Sequence, residues 1–209
     1  NNSGSNNYSR LLIEHSSSNT FLITYASGTN GVTRHPITYN QDRNNWHHYA
    51  FTLSNNLDNF NDLDICLYID GNLVSSETVV NAGGFSLADN FGMIANIGAY
   101  RADITGQNEN LWNGIGTSFC SFDEIRFWKT ARNSKQIYRN WFTNIGGGTN
   151  TDDANTDLGL YFKLNEGIVN AEEISNLDSL IIDYSGRVSN GLIENYNLNC
   201  RNTSSAIDE

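Results

Sequence analysis

The sequence predicts an all-β fold, an antiparallel β-sandwich of the jelly-roll type with one short α-helix near 133–143. Short runs of alternating apolar residues recur between clusters of Asn, Ser and Gly. Turn formers are abundant, with 18 glycines, while aromatic residues still make up 11% of the chain. An Asp-Gly pair at 70–71 separates two apolar runs, which is the strongest short-range signal of a β-hairpin.

The strands are predicted from apolar residues that alternate with a period of two. Asp64–Ile69 and Leu73–Val80 flank the hairpin turn. Trp46–Leu53 places His47, Tyr49, Phe51 and Leu53 on one face and Trp46, His48, Ala50 and Thr52 on the other. The remaining predicted strands are Arg10–Ile13, Phe21–Tyr25, Phe91–Tyr100, Gly114–Trp128, Leu158–Leu164, Leu180–Ile182 and Gly191–Ile193. Many short strands joined by turns indicate a sandwich.

One segment has the periodicity of a helix. Its apolar face consists of Ile137, Tyr138, Trp141 and Phe142. Asn133 or Ser134 can cap the N-terminus, and the glycines at 146–148 are expected to end the helix. We expect this helix to pack on the sandwich as a short plug.

The net charge of −11 restricts the classes of partner. An acidic surface repels phosphate, so no nucleic-acid partner is expected. No apolar run reaches the length of a membrane span, so no membrane insertion is expected. Acidic side chains in loops could instead hold a hard cation such as Ca²⁺.

The three cysteines are Cys66, Cys120 and Cys200, so at most one disulfide can form within the chain. No spacing typical of a zinc site is present. Cys66 and Cys120 lie in apolar strand-like runs and are expected to be small core residues.

Three segments of the chain resemble the laminin G-like, concanavalin A-like lectin/glucanase jelly-roll family. Trp46–Thr52 resembles the family's strand with the sequence W-H-H followed by an apolar residue and Ala. Leu67–Val74 resembles its Y-I-D-G hairpin, and Phe122–Arg132 resembles its D-E-I-R strand with the start of the following helix. The segments occur in the family's order, and the resemblance covers roughly residues 40–196.

A fourth resemblance bears on domain organisation. Gly159–Gly167, Asp183–Gly186 and Asn190-Gly191 together resemble the family's opening pattern, which in tandem members follows the helix of the preceding module. We expect laminin G-like strands and the helix in 1–145, a linker in 146–157, and strands in 158–209. Residues 158–209 either complete the same sandwich or open a second module. The first alternative is favoured because a lone half-module would expose apolar strand edges.

Catalysis is not expected. Some members of the superfamily are glucanases with clustered carboxylates, and glycoside hydrolysis needs two carboxylates on opposite sides of the scissile bond. Asp123 and Glu124 are adjacent on a predicted strand and therefore point to opposite faces. His47 and His48 also face opposite ways, so they cannot chelate one ion together.

The resemblance implies a structural Ca²⁺ site where the E-G and D-x-S-G segments approach the D-E-I-R strand. Carried onto this sequence, its metal ligands are Asp123, Glu166 and Asp183. Ca²⁺ takes six to eight oxygen ligands, which carboxylates and carbonyls supply. The alternative for Asp183 is an ordinary Asx turn, because the segment also has the pattern of one.

Candidate ligand-binding residues lie in a loop and among aromatic residues. Asp58 and Asp62 lie in the Asn/Asp-rich loop 55–64, which is expected to be a solvated loop first and a binding rim second. Tyr100, Trp112 and Tyr39 could stack on a sugar ring, although a core position is favoured for each. The hypothesis is a non-catalytic recognition or adhesion module, extracellular, on a cell surface or on a virion, that binds a glycan or a protein.

The alternative hypothesis is a structural subunit or decoration protein of a filament, fibre or capsid. Such a protein would contact neighbouring subunits of an assembly and bind no small ligand. A glycoside hydrolase is the least favoured class.

Overall fold

The computed structural model describes residues 9–16, 19–27, 30–42, 44–84, 95–98, 118, 120–145, 157–166, 178–197 and 201. The strands are β1 (Ser9–Ser16), β2 (Thr20–Ser27), β3 (Asn30–Thr38), β4 (Tyr49–Asn55), β5 (Leu63–Ile69), β6 (Asn72–Val79), β7 (Ile125–Trp128), β8 (Leu158–Phe162), β9 (Leu180–Ile181) and β10 (Gly191–Leu192). The helix α1 spans Ser134–Asn140. The chain divides into two compact units, Asn1–Cys120 (unit 1) and Ser121–Glu209 (unit 2).

Unit 1 contains two antiparallel sheets with the strand orders β1-β2-β3 and β4-β5-β6. Alternate residues of β2 and β5, the central strands, meet in one apolar core between the sheets. These residues are Phe21, Ile23, Tyr25, Leu63, Ile65, Leu67 and Ile69. Burying each aliphatic side chain contributes about 1.5–3 kcal/mol. The predicted antiparallel β-sandwich is thus confirmed.

Contacts at one edge also join the two sheets. His35 of β3 and Glu77 of β6 approach to 2.6 Å between Nε2 and Oε2. Ser75 donates a hydrogen bond to the other carboxylate oxygen of Glu77 at 3.3 Å.

The β5–β6 hairpin has the predicted turn. Asp70 and Gly71 both have positive φ, at 50° and 78°, as a two-residue turn between twisted strands requires. Asp and Gly are the residue types that tolerate this conformation, so the local sequence determines the turn.

Strand β3 was not predicted. Its sequence is mostly polar and contains Pro36, which lacks an N–H for a sheet ladder. In the described sheet β3 is an edge strand that pairs with β2 alone, with Pro36 opposite Leu22. An edge position tolerates proline, so the tertiary context outweighs the weak local pattern.

Among the described residues, one other predicted strand is shorter than expected and a second is not formed. Of the described residues in the predicted strand Gly114–Trp128, Ile125–Trp128 form a strand, whereas residues 118 and 120–124 are not in a strand. Residues 95–98 of the predicted strand Phe91–Tyr100 are not in a strand, and the rest of that segment lies outside the described residues.

Helix α1 begins where the sequence predicts, but its apolar face is less buried than expected. The Asn133 side chain accepts a hydrogen bond from the Gln136 N–H at 2.9 Å, and the Gln136 side chain accepts one from the Asn133 N–H at 3.0 Å. Ile137 is the buried residue of the helix, whereas Tyr138 is 59% and Phe142 53% exposed. The helix has seven residues and ends at Asn140. Two of the four predicted apolar positions, Trp141 and Phe142, therefore lie beyond its end.

Unit 2 contains the antiparallel pairs β7–β8 and β9–β10. Its core consists of Ile145, Leu158 and Tyr161, with Trp128 packed against them. Strand β8, from the 158–209 segment, thus pairs with β7, which precedes the predicted linker. The choice between one sandwich and two modules stays a prediction, and the linker 146–157 lies mostly outside the described residues.

The two described cysteines are not core residues, contrary to the prediction. Cys66 is half-buried, and its Sγ contacts Ser76 Oγ at 3.5 Å, while Cys120 is exposed. Both are free thiols, and Cys200 lies outside the described residues. Within the described ranges, no helix is long and apolar enough to cross a membrane.

Candidate functional site

The loop that connects β4 to β5, Asn56–Asp62, is held by its own side chains. Asn56 Oδ1 accepts hydrogen bonds from the backbone N–H groups of Asp58 and Asn59 at 2.9 and 3.1 Å. Asn59 Oδ1 accepts one from the Asn61 N–H at 3.2 Å. The Asn56 N–H donates to the Asp62 carbonyl at 2.9 Å and closes the loop. Side-chain acceptors of this kind replace the strand ladder and fix the loop conformation.

The segment after β6, Val80–Gly84, lies beside this loop. Asp62 Oδ1 accepts a hydrogen bond from the Asn81 N–H at 2.8 Å, and the Gly83 N–H donates to the Asn61 carbonyl at 2.7 Å. Tyr25, a core residue of β2, donates its hydroxyl to the Gly84 carbonyl at 3.2 Å. The two segments, together called the loop surface, are therefore joined to each other and to the core.

Three apolar side chains project from the loop surface into solvent. Leu57 is 86% exposed, and Phe60 and Val80 are each 68% exposed. The Asp58 carboxylate lies between the first two along the chain and is also exposed. An ordered loop that presents apolar side chains to solvent is a candidate interaction site, because binding residues often lie on loops held by a rigid scaffold.

The loop surface contains both predicted loop carboxylates, but they have different roles. Asp58 is exposed, as a binding residue requires. Asp62 fixes the neighbouring Val80–Gly84 segment through its bond to Asn81. Sequence reasoning missed Leu57, Phe60 and Val80. The available signal was a pair of apolar residues, Leu57 and Phe60, inside an Asn/Asp-rich turn region too short to form a stable helix.

The predicted aromatic binding residues are not part of this surface as described. Tyr100 and Trp112 lie outside the described residues. Tyr39 is buried, so the favoured prediction of a core position is confirmed for this residue and the stacking role is not. Its ring stacks on Phe21 at 5.1 Å, and its hydroxyl lies 2.6 Å from His15 Nε2.

In unit 2, Asp183 is buried and accepts three backbone hydrogen bonds. Oδ1 accepts from the N–H groups of Tyr161 at 3.0 Å and Ser185 at 2.9 Å, and Oδ2 accepts from the N–H of Ser189 at 3.0 Å. Burial by itself would raise the pKa of Asp183, but these donors outweigh it and lower the pKa below its ordinary value of 3.8. The bond to Ser185 is the Asx turn that the sequence offered as the alternative to a metal ligand.

The other two predicted metal ligands bind protein groups as well. Glu166 Oε1 accepts a hydrogen bond from the Ile182 N–H at 3.3 Å, and Oε2 lies 3.6 Å from Arg201. Asp123 Oδ1 accepts one from the neighbouring Glu124 N–H at 3.1 Å.

Among the described residues, no three His, Cys, Asp or Glu side chains lie close enough together to hold a metal ion. The assignment of Asp123, Glu166 and Asp183 as metal ligands stays a prediction. Whether Ca²⁺ binds through carbonyl groups as well stays a prediction.

A second buried network in unit 2 surrounds Glu124. Arg126 Nη2 lies 2.7 Å from Glu124 Oε2, and Tyr161 donates its hydroxyl to the same carboxylate oxygen. Arg126 also donates to the carbonyls of Asn140 and Thr143, each at 2.7 Å, and so caps the end of α1. Burial and the bond to Glu124 raise the pKa of Tyr161 to about 12. The network joins β7, β8 and α1.

The two packed sheets of unit 1 define a β-sandwich. The chain belongs to the concanavalin A-like lectin/glucanases superfamily, because a laminin G-like family model matches residues 2–138. The match includes the three motif segments between 46 and 132 and also residues 2–39, to which no motif was assigned. No curated protein and no solved structure shows a significant match.

Proposed function

We propose that the chain is a non-catalytic recognition or adhesion module, displayed outside a cell or on a virion, that binds a glycan or a protein through the loop surface. The observation that carries this proposal is the exposure of Leu57 and Phe60 on a loop that is already ordered by its own hydrogen bonds. Membership of a family whose domains often mediate binding supports it.

The energetics of the loop favour binding. Full burial of a side chain such as Leu57 or Phe60 contributes about 1.5–3 kcal/mol. Because hydrogen bonds to the Asn56 side chain already order the loop, binding of a partner causes little further loss of conformational entropy in the loop. A few exposed apolar anchors can therefore provide most of the affinity.

A non-catalytic role is supported by the use of the carboxylates in unit 2. Glu124 is bound by Arg126 and Tyr161, and Asp183 is bound by three backbone N–H groups. A glycosidase pair needs two carboxyl groups about 5–10 Å apart across the substrate, available to donate or accept a proton. The described bonds commit these two carboxylates to structure instead.

The test is binding of the full chain to arrays of glycans and of extracellular proteins. We expect reproducible binding that Phe60→Ser reduces by about tenfold or more, because an interface anchor is lost. Leu192→Ser is the matched control, since Leu192 is 66% exposed, close to the 68% of Phe60, but lies on β10 in unit 2. Silent arrays together with self-assembly of the chain would contradict the proposal and support a structural subunit.

A further inference from the structure

The loop surface lies in a part of the chain without positive side chains. The sequence from Asn44 to Tyr100 contains no Lys or Arg. Its acidic residues are Asp58, Asp62, Asp64, Asp70, Glu77 and Asp89. The segment that forms the sheet β4-β5-β6 and the loop between β4 and β5 is therefore acidic, and its described ion-pair partners are histidines, His35 beside Glu77 and His47 beside Asp70.

Among the loop acids, Asp58 is the one whose charge is not used within the loop. Asp62 Oδ1 accepts the Asn81 N–H, and Asp64 accepts from the Asn56 amide at 3.0 Å and the Thr78 hydroxyl at 2.6 Å. In the described part of the chain, the Asp58 carboxylate accepts no hydrogen bond, and only the Asp58 N–H is bonded. The negative charge next to Leu57 and Phe60 is thus directed at solvent.

We propose that the loop surface binds a protein segment in which apolar side chains are flanked by Lys or Arg. This inference rests on the proposed function and specifies its ligand. The apolar groups of the partner would cover Leu57, Phe60 and Val80, and its basic groups would pair with Asp58 and with the field of the nearby carboxylates. Complementary charge of this kind accelerates association and selects the partner.

The same charges disfavour the other occupants of the surface. A second copy would bring Asp58 against an identical acidic loop on a chain of net charge −11. Anionic glycans and anionic membranes would be repelled in the same way. Charge does not oppose a neutral glycan, but the Asn56 and Asn59 side-chain oxygens already bond the loop backbone, which leaves fewer acceptors for sugar hydroxyls.

The experiment measures binding of the full chain to immobilised synthetic peptides of equal apolar content whose net charge runs from acidic to basic. We expect the basic peptides to bind more than about tenfold tighter than the acidic ones. Binding should weaken as salt reduces the screening length from about 30 Å to about 3 Å. Phe60→Ser should weaken binding by about tenfold or more, and Asp58→Asn should reduce the salt dependence.

Two control variants are matched to these changes. Asp42→Asn removes an exposed charge that precedes β4, at the other end of the strand from the loop, and Leu192→Ser removes an exposed leucine from unit 2. Both should bind basic peptides like the wild type. Thermal unfolding of every variant checks that the fold is retained, and Phe60→Leu keeps an apolar group there should Phe60→Ser unfold.

Equal binding of acidic and basic peptides, or binding that salt does not change, would overturn the inference. The inference would also fail, with the proposed function intact, if only glycans bound and Phe60→Ser abolished that binding. If peptides, glycans and extracellular proteins all failed to bind, both the inference and the proposed function would be overturned.

Discussion

Asp70 joins the β5–β6 turn to the residues that precede β4. One carboxylate oxygen lies 2.8 Å from His47 Nδ1, and the other accepts the His48 N–H at 2.9 Å. The Asp70 N–H in turn donates to the His48 carbonyl at 2.9 Å. The W-H-H and Y-I-D-G segments, separate in the sequence, therefore form one contact, which gives both histidine positions a structural role.

We expect loss of this carboxylate to destabilise unit 1. Asp70→Ala should lower the free energy of unfolding by about 2 kcal/mol, because two donors lose their acceptor and Ala disfavours positive φ. In Asp70→Asn the new residue tolerates positive φ and keeps one acceptor oxygen. We therefore expect a smaller decrease in the free energy of unfolding, of about 1 kcal/mol. Urea unfolding measures both values. A double-mutant cycle with His47→Ala isolates the pair, and a coupling energy of zero would contradict this role.

Asp183 should make the stability of the chain depend on pH in acid. The pKa of Asp183 is lower in the folded state than its ordinary value of 3.8. Its contribution to the free energy of unfolding is therefore complete above pH 3.8 and is lost as the pH falls through the pKa of the folded state. Asp183→Asn should cost about 2–3 kcal/mol at neutral pH, because its amide NH₂ cannot accept from a backbone N–H. The difference from wild type should shrink below pH 3.8.

Thermal or urea unfolding across that pH range tests the prediction for Asp183. Asp58→Asn is the control, because Asp58 is exposed and its described hydrogen bond is made by its backbone N–H rather than by its carboxylate. A difference between wild type and Asp183→Asn that stays constant into acid would show that the carboxylate charge is not what holds this turn.

Tyr161 should have the opposite pH dependence, in alkali. Its pKa is raised from an ordinary value of 10.0 to about 12. Its contribution to the free energy of unfolding is therefore complete below pH 10.0 and is lost as the pH rises towards about 12. Tyr161→Phe should cost about 1–2 kcal/mol at neutral pH, because Glu124 loses a donor. It should also make the alkaline loss of stability shallower, as unfolding curves over this range would show. An unchanged alkaline profile would assign that loss to other groups.

Val188 is a β-branched residue at φ 60°, a conformation that such residues rarely adopt. Its side chain is 79% exposed, so shortening it removes little burial. We expect Val188→Asn to raise the free energy of unfolding by about 1 kcal/mol, because Asn tolerates positive φ. Val74→Asn, at an exposed position in β6, is the control and should give no gain. Equal effects at both sites would rule out relief of backbone strain.

The predicted Ca²⁺ site is tested by the melting temperature with Ca²⁺ and with a chelator. If Asp123, Glu166 and Asp183 contribute to a site, Ca²⁺ should raise Tm in proportion to the logarithm of its concentration. Identical Tm values under both conditions would exclude structural Ca²⁺. Asp123→Asn is the informative variant, because a changed Ca²⁺ dependence would identify Asp123 as a ligand.

The parts of the fold that local chemistry determines could be predicted from the sequence. Period-two alternation placed β5 and the faces of β4, and the Asp70-Gly71 turn followed from its need for positive φ. Strand β3 could not be predicted, since its pairing with β2 rather than its own composition makes it a strand.

The candidate site was less predictable, because the use of a carboxylate depends on distant donors. Asp183 is bound by the Tyr161 N–H across 22 positions of sequence. Asp62 is held by the Asn81 N–H, 19 positions away. Leu57 and Phe60 are exposed because the Asn56 and Asn59 side chains turn the backbone outward, which composition alone does not show.

Within the loop surface, the residues that supply the internal acceptors lie at every third position, and the residues that face outward lie between them. Asn56, Asn59 and Asp62 supply the internal acceptors, whereas Leu57, Asp58 and Phe60 project from the framework. Substitutions at 57, 58 and 60 should therefore change the exposed surface of the loop with little penalty to folding. The positions that hold the backbone and the positions that determine the exposed chemistry are thus separate within one seven-residue loop.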